Sequence, residues 1–244
     1  MADPAPWRII LLGEVGSTNR LLLEELGPVA RPGLVVVADH QREGKGRRAR
    51  RFLDNPRSAL AVSVLLPPRL PLELWPAAIG VAAAEALHAL GVARVGLKWP
   101  NDLVCPAGKL GGVLIETRGE LVVAGLGVNL LAAPPGVGAA AVADLWPRAR
   151  DAGFTRLRAA VLDAYLAALV GVLEDGQEAL RARYRRLLVT LGQQVRVELA
   201  EGAVIGLAEE VDSLGRLRVA DGVGVRVISS GDVVHLRPME ERSL

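Results

Sequence analysis

Short apolar runs alternate with stretches of helical spacing through the first 190 residues, and the texture changes after Leu191. Following a Pro-rich start, Gly16-Ser17-Thr18-Asn19 precedes an apolar-rich helical run over residues 20–26. Ser17 or Thr18 is placed to cap it, and Gly27-Pro28 stops it. Residues 34–38 and 59–66 read as buried strands, the second ended by Pro67-Pro68. Residues 72–90 form an alanine-rich helical stretch with Gly91 just past its end. Strands are expected over 95–99, 112–117 and 121–126, the last two joined by a hairpin-length Arg118-Gly119-Glu120. Helical spacing returns over 155–173 and 178–188. Mixed strands followed by clustered helices predict an α+β domain rather than a doubly wound sheet.

From Gln193 onward the runs become short and alternating, over 195–199, 203–207, 217–219 and 223–228. Turns are expected at Glu201-Gly202, 212–215, Asp221-Gly222 and Ser230-Gly231. About five strands in so short a span predict a small β-barrel docked on a larger domain. The expected division is therefore 1–190 and 191–244.

Composition narrows the class. Of 244 residues, 51% are hydrophobic and 23% charged, as in folded globular proteins. A net charge of +2 is too small to argue for nucleic-acid binding. The single cysteine, Cys105, excludes an intrachain disulfide and suits a reducing compartment. Neither a secretory leader nor an apolar run of membrane-spanning length is visible, so a cytoplasmic protein is expected. Among the 29 basic residues only Lys45, Lys98 and Lys109 are lysine, and asparagine occurs only at 19, 55, 101 and 129. Codon bias accounts for the scarcity. The lysines that remain are enriched for places needing a compact ammonium, and all three fall in short motifs.

Three segments could carry chemistry. The first is residues 41–51, Gln-Arg-Glu-Gly-Lys-Gly-Arg-Arg-Ala-Arg-Arg, in which glycines let the backbone approach a ligand and the cations suit a carboxylate or phosphate. It is not a P-loop, because Gly46 rather than Ser or Thr follows Lys45. It is a poor dinucleotide fingerprint, because no apolar helix follows. Alone, it reads as well as a solvated basic loop. The second is Lys98-Trp99-Pro100-Asn101-Asp102, then Gly108-Lys109-Leu110-Gly111-Gly112. Lys98 at the end of a strand and Asn101-Asp102 in the turn after it place a cation, an amide and a carboxylate at a strand's mouth, where the carboxylate or the amide could help hold magnesium with substrate phosphates. Asp102 as a plain turn former and Lys109 as an exposed residue ahead of the next strand remain open. The third is Gly125-Leu126-Gly127-Val128-Asn129-Leu130, either a close-packed strand end or a polar position beside a nucleotide. His40, His88 and His235 read as structural residues, and Cys105 as a loop residue.

Taken in order, Ser17-Thr18-Asn19, Gln41 with its Gly/Arg loop, KWPND, GKLGG running into VLIE, and GLGVNL resemble the catalytic domain of biotin protein ligases. The resemblance implies a mixed-sheet catalytic domain of the class II aminoacyl-tRNA-synthetase-like, biotin–lipoate ligase type, with a C-terminal SH3-like barrel. It implies ATP-dependent formation of biotinyl-5′-adenylate, with magnesium, and transfer of biotin to a lysine of a biotin carboxyl carrier protein. By similarity Ser17, Thr18, Asn19, Gln41, Gly44, Lys45, Gly46, Arg47, Lys109, Gly111, Gly112 and Leu126 would contact biotin. Arg47, Arg48, Arg50, Lys98, Trp99, Asn101, Asp102, Lys109 and Asn129 would contact ATP or the adenylate. Lys109 and Arg47 would be catalytic, and Asp102 the magnesium ligand. The loop departs from the commonest pattern at Lys45, where arginine is usual, and at Ala49, where glycine is usual. Lysine keeps the charge but loses the bidentate fork.

The nearest rival reading is a lipoate or octanoate ligase or transferase of the same fold. KWPND, the Gly/Arg loop and GKLGG favour biotin. A nucleic-acid binder using the basic loop is the rival from another class, and 3% aromatics with a charge of +2 speak against it. The short stretch before Ser17 implies no helix-turn-helix and no specific DNA binding. No membrane partner is expected, and a homodimer is.

Overall fold

A computed structural model describes residues 7–47, 52, 56–135 and 138–236 of the chain. Its larger sheet contains β1 (Arg8–Leu12), β2 (Leu34–Ala38), β3 (Ala59–Leu66), β4 (Gly96–Lys98), β5 (Asp102–Cys105), β6 (Gly108–Arg118) and β7 (Leu121–Asn129). The spatial order is β1-β2-β3-β7-β6-β5-β4. Only β1 and β2 pair in parallel. This is the expected α+β architecture. Both faces are covered, which is why β2 and β3 read as continuous apolar runs. Val35, Val37, Leu60, Val62 and Val64 pack towards α2 (Trp75–Ala89) and α4 (Arg148–Glu174). Leu34, Val36, Leu65 and Val123 pack on the opposite side with Leu22 and Leu23. Those two leucines belong to a helix that begins as α1 (Thr18–Arg20) and widens into π-helical turns over Leu21–Leu26. Alanines make most of α2 small enough to be buried nearly all round. A short α3 (Val142–Leu145) precedes α4, whose helical path breaks at Gly153 (φ 72°).

Several elements differ from the sequence reading. β1 was not expected; its alternation is masked because Ile9 and Leu11 lie exposed while the strand borders the sheet. Asp102 is not in a turn but opens β5, paired with Lys98 on β4, and Cys105 closes that strand. Lys109 lies within β6 rather than ahead of it, since the strand starts at Gly108. β7 likewise runs on to Asn129. In each case a glycine, proline or polar residue suggested an end, and cross-strand pairing carried the strand past it.

Helix α5 (Gly176–Leu187) leads into the second sheet, built from β8 (Gln194–Leu199), β9 (Gly202–Val211), β10 (Leu217–Ala220), β11 (Val225–Ile228) and β12 (Asp232–His235). The order is β11-β10-β9-β8-β12, antiparallel throughout. These five strands are the small SH3-like unit expected from the C-terminal texture. Its buried Val195, Val197, Leu217 and Val219 join the same apolar cluster as α2 and α4. The KWPND segment ties the two sheets together. Trp99 N–H donates to Thr190 Oγ1 (3.0 Å), its indole N–H donates to the Gly215 carbonyl (2.9 Å), and Val189 N–H donates to Leu97 O (2.8 Å).

Candidate active site

The N-terminus of α1 and the end of β2 are laced together. Val15 N–H donates to His40 O (3.1 Å), Arg42 N–H to Val15 O (3.0 Å) and Glu43 N–H to Gly16 O (2.8 Å). The Arg20 guanidinium closes the link on Glu43 at 2.5 Å, and its hydrogen bond and charge hold that carboxyl below the usual carboxylate range. Ser17 accepts from Arg20 N–H as the helix cap. The effect is to fix Gln41 beside Thr18, whose N–H and hydroxyl both meet Gln41 Oε1 at 2.9 Å. Here lies a first, small cavity, walled by Ser17, Thr18, Asn19, Gln41, Lys45 and Leu126 among others. Behind it, Ser63 Oγ stands 2.7 Å from Thr18 Oγ1 and 2.6 Å from Asn19 Oδ1. Asn19 Nδ2 donates to Glu116 Oε2 (2.8 Å) and to Leu114 O (3.3 Å). A Cβ added to Gly125 would lie 2.5 Å from Asn19 Oδ1, so the amide rests directly on the β7 backbone.

A second, larger cavity of about 440 Å³ adjoins the first. Lys45, Phe52, Gly112 and Leu114 line both. The second also meets Arg47, Lys98, Asn101, Asp102, Lys109, Asn129 and, from the small sheet, Asp232 and Val233. Pairing of β5 with β6 brings the Lys109 ammonium 2.5 Å from Asp102 Oδ1. Lys109's backbone is clamped: its N–H donates to Gly138 O, and its carbonyl accepts from Ala140 N–H. Asn129 steadies the same clamp by donating to Ala140 O at 3.1 Å. Asn101 donates to Val113 O (2.7 Å) and accepts from Arg47 (3.2 Å). Arg47 also donates to Ser230 Oγ (2.7 Å) and Gly231 O (3.4 Å), bridging the loop to the small sheet.

The structure thus gathers the predicted residues around two connected spaces. Ser17, Thr18, Asn19, Gln41 and Leu126 line the first cavity. Gly46, Arg47, Lys98, Trp99, Asn101, Asp102, Lys109, Gly111 and Asn129 line the second, and Lys45 and Gly112 line both. Gly44 lines neither; its backbone receives Phe52 N–H at 2.9 Å. Trp99 is 2% exposed and also anchors the small sheet. Arg48, Ala49 and Arg50 lie outside the described residues. Among the described residues no group of three or more His, Cys, Asp or Glu could hold a metal ion by itself. The sequence reading missed Phe52, whose ring covers Gly127, and the barrel residues Ser230, Gly231, Asp232 and Val233. It also missed Ser63, although a lone hydroxyl inside the run ALAVSVLL was a usable signal, since a buried polar group needs partners.

Comparison with known proteins agrees with this geometry. Residues 13–129 match the model of the biotin/lipoate A/B protein ligase family, and residues 190–236 match that of the biotin protein ligase C terminal domain. The biotin–[acetyl-CoA-carboxylase] ligase of Mycobacterium tuberculosis is 36% identical over 95% of this chain and 90% of its own length. The bifunctional ligase/repressor BirA of Escherichia coli is 30% identical over 88% of this chain and 70% of its own length. Among solved structures, the biotin protein ligase of Aquifex aeolicus in complex with biotin and ATP superimposes with a TM-score of 0.80 at 27% identity, covering 94% of this chain and 99% of that one. Two family models in the expected order, a relative matched nearly end to end, and two adjoining cavities that share Lys45 lead to one conclusion: the chain belongs to the biotin protein ligase family.

Proposed function

We propose that the first cavity takes the ring system of biotin, that the second takes ATP, and that Lys109, in the second cavity beside the shared Gly112, acts on both. The observation carrying this reading is the shared wall. A pocket walled mainly by hydroxyls and amides shares Lys45, Phe52, Gly112 and Leu114 with a cavity lined by Arg47, Lys98 and Lys109 besides Asp102 and Asp232, which is the arrangement needed to bring a carboxylate to a phosphate. Biotin's carboxylate oxygen attacks the α-phosphorus of ATP, forming the mixed anhydride and releasing pyrophosphate. The amine of a carrier lysine then attacks the anhydride carbonyl; the amide forms, a proton is lost and AMP leaves. Both steps build negative charge on oxygen, which positioned cations stabilise without a covalent enzyme intermediate.

Lys109 rests on Asp102 through a half-exposed ion pair, and such pairs contribute little net stability. Incoming carboxylate and phosphate charge can therefore draw the ammonium away at small cost. Arg47 supplies a second cation towards the phosphates. The donor set suits magnesium in the form that ion prefers with nucleotides, one or two carboxylates with the rest of the shell from phosphate and water. Asp102 would hold it, and the ion would neutralise phosphate charge. The acceptor is the biotin carboxyl carrier domain of a carboxylase, a reading supported by the acetyl-CoA-carboxylase ligase relatives. The test is pyrophosphate release from ATP and magnesium with biotin or with lipoate, followed by label transfer to a biotin carboxyl carrier domain. Biotin-dependent release and transfer are expected, and lipoate-dependent release alone would reverse the assignment.

A further inference from the structure

The polar wall of the first cavity can be counted proton by proton. Asn19 Nδ2 faces two acceptors, Glu116 Oε2 and Leu114 O, so both its hydrogens are engaged and Oδ1 must face Ser63. At the other end, Gln41 Oε1 receives the backbone N–H of Thr18, which fixes that atom as an acceptor too. Between these fixed acceptors stand two hydroxyls, Ser63 and Thr18. Three oxygen–oxygen contacts result: Asn19–Ser63 at 2.6 Å, Ser63–Thr18 at 2.7 Å and Thr18–Gln41 at 2.9 Å. Two hydroxyl protons cannot fill three contacts. Ser63 is fully buried and Thr18 and Asn19 are each 3% exposed, leaving bulk water little access to supply the missing hydrogen.

We infer that Glu116 is a positioning residue: by fixing the Asn19 amide it keeps this chain one proton short, so that the cavity wall recognises a ligand through a donated N–H. The inference rests on the biotin reading and deepens it, because a cyclic urea presents N–H groups next to its carbonyl. An acceptor from the chain turns to the ligand when its hydroxyls reorient, and the deficit is filled. Without an acceptor at position 116 only the longer bond to Leu114 O (3.3 Å) holds the Asn19 amide, which can then turn over and offer Nδ2 to Ser63. The chain then satisfies itself, Ser63 donating to Thr18 and Thr18 to Gln41, and the ligand's donor loses its partner. Glu116 touches no cavity-facing atom of the ligand in this scheme and acts only through Asn19.

The experiment compares the full chain with Glu116→Leu, Glu116→Gln and Ser63→Ala, using calorimetric binding of biotin alone and the pyrophosphate-release assay. Glu116→Leu and Ser63→Ala are expected to raise the Kd and KM for biotin at least about tenfold, the size of losing one buried hydrogen bond. The KM for ATP and kcat at saturating biotin should stay within about twofold, which general damage to β6 would not spare. Glu116→Gln keeps an oxygen that accepts from Asn19 and should stay within about threefold of the native chain. Native biotin affinity in folded Glu116→Leu, or a Glu116→Gln variant as weak as Glu116→Leu, overturns the inference. If Glu116→Leu does not fold, judged by circular dichroism, Ser63→Ala decides: unchanged biotin affinity there overturns it as well. A native chain that releases pyrophosphate without binding biotin overturns the functional reading and this inference together, a result distinguishable from the failure of the variants alone.

Discussion

In the first cavity the polar atoms are held by burial, whereas in the second the charged groups stand half in water. Ser17, Thr18 and Asn19 are each 3% exposed, and Thr18 and Asn19 bond to Gln41, to Ser63 on β3 and to Glu116 on β6. The Lys109 side chain is 47% exposed and its partner Asp102 25%. Rigid neutral donors and acceptors suit selection, because a ligand lacking the matching group leaves buried atoms unpaired. Mobile charges suit chemistry, because they can follow phosphate charge as it redistributes. On the reading proposed above, one site divides recognition from catalysis between two kinds of surface, and the division can be tested by perturbing each side separately.

The largest effect should come from the charged side. Lys109→Ala is expected to slow adenylate formation by at least about a hundredfold with the melting temperature nearly unchanged, as for loss of one charge-stabilising group. Near-normal pyrophosphate release from that variant would remove Lys109 from the reaction. On the neutral side, Gly125→Ala places a Cβ 2.5 Å from Asn19 Oδ1. The crowding should weaken biotin binding about tenfold or more while sparing ATP, since overpacking a fixed wall costs about 1–3 kcal/mol. Equal losses of biotin and ATP affinity would dissolve the distinction between the cavities. A smaller change is expected for Ser230→Ala, which removes the 2.7 Å contact to Arg47. The KM for ATP should rise about two- to fivefold, the scale of one partly exposed hydrogen bond to a charged group, with biotin binding unaltered.

The weakest effect concerns the join with the small sheet. Burial, and then the Lys98 charge, hold the His235 imidazole below its usual range. In the unfolded chain it takes up a proton near its ordinary pKa of about 6.5, while the folded chain refuses it until lower pH. Its contribution is therefore intact above that range and is lost as pH falls through it. Melting temperatures at pH 7.5 and 5.5 should show a smaller acid drop in His235→Gln than in the native chain; equal drops would exonerate this residue.

How far the sequence could be read depended on separation along the chain. Thr18, Gln41, Asn101 and Lys109 stood out because each belongs to a short motif whose residue types already suggest chemistry. Helix α2 and strands β2 and β3 were legible because continuous burial leaves continuous apolar runs. Ser63 gains its role only because the order β3-β7-β6 sets it between Asn19 and Thr18. Phe52 matters because Gly127, far along the chain, leaves room for its ring. The Arg47–Ser230 contact spans nearly the whole protein, and no local pattern announces it. β5 was hidden for another reason: Pro100 and Asn101 signalled a turn, and the strand beginning at once with Asp102 carried no apolar alternation of its own.

The bridge from Arg47 to the β11–β12 turn also gives the site a timetable. A chain made from its N-terminus contains every residue lining the first cavity once Gly127 is in place, but the far wall of the second waits for residues 230–233. At ordinary rates of synthesis the interval is on the order of ten seconds. The second cavity is therefore the last part of the site to be completed, after the whole of the larger sheet and its helices have been made. A chain cut short before Ser230 would hold every residue of the first cavity and lack the Arg47 bridge that joins the second to the small sheet.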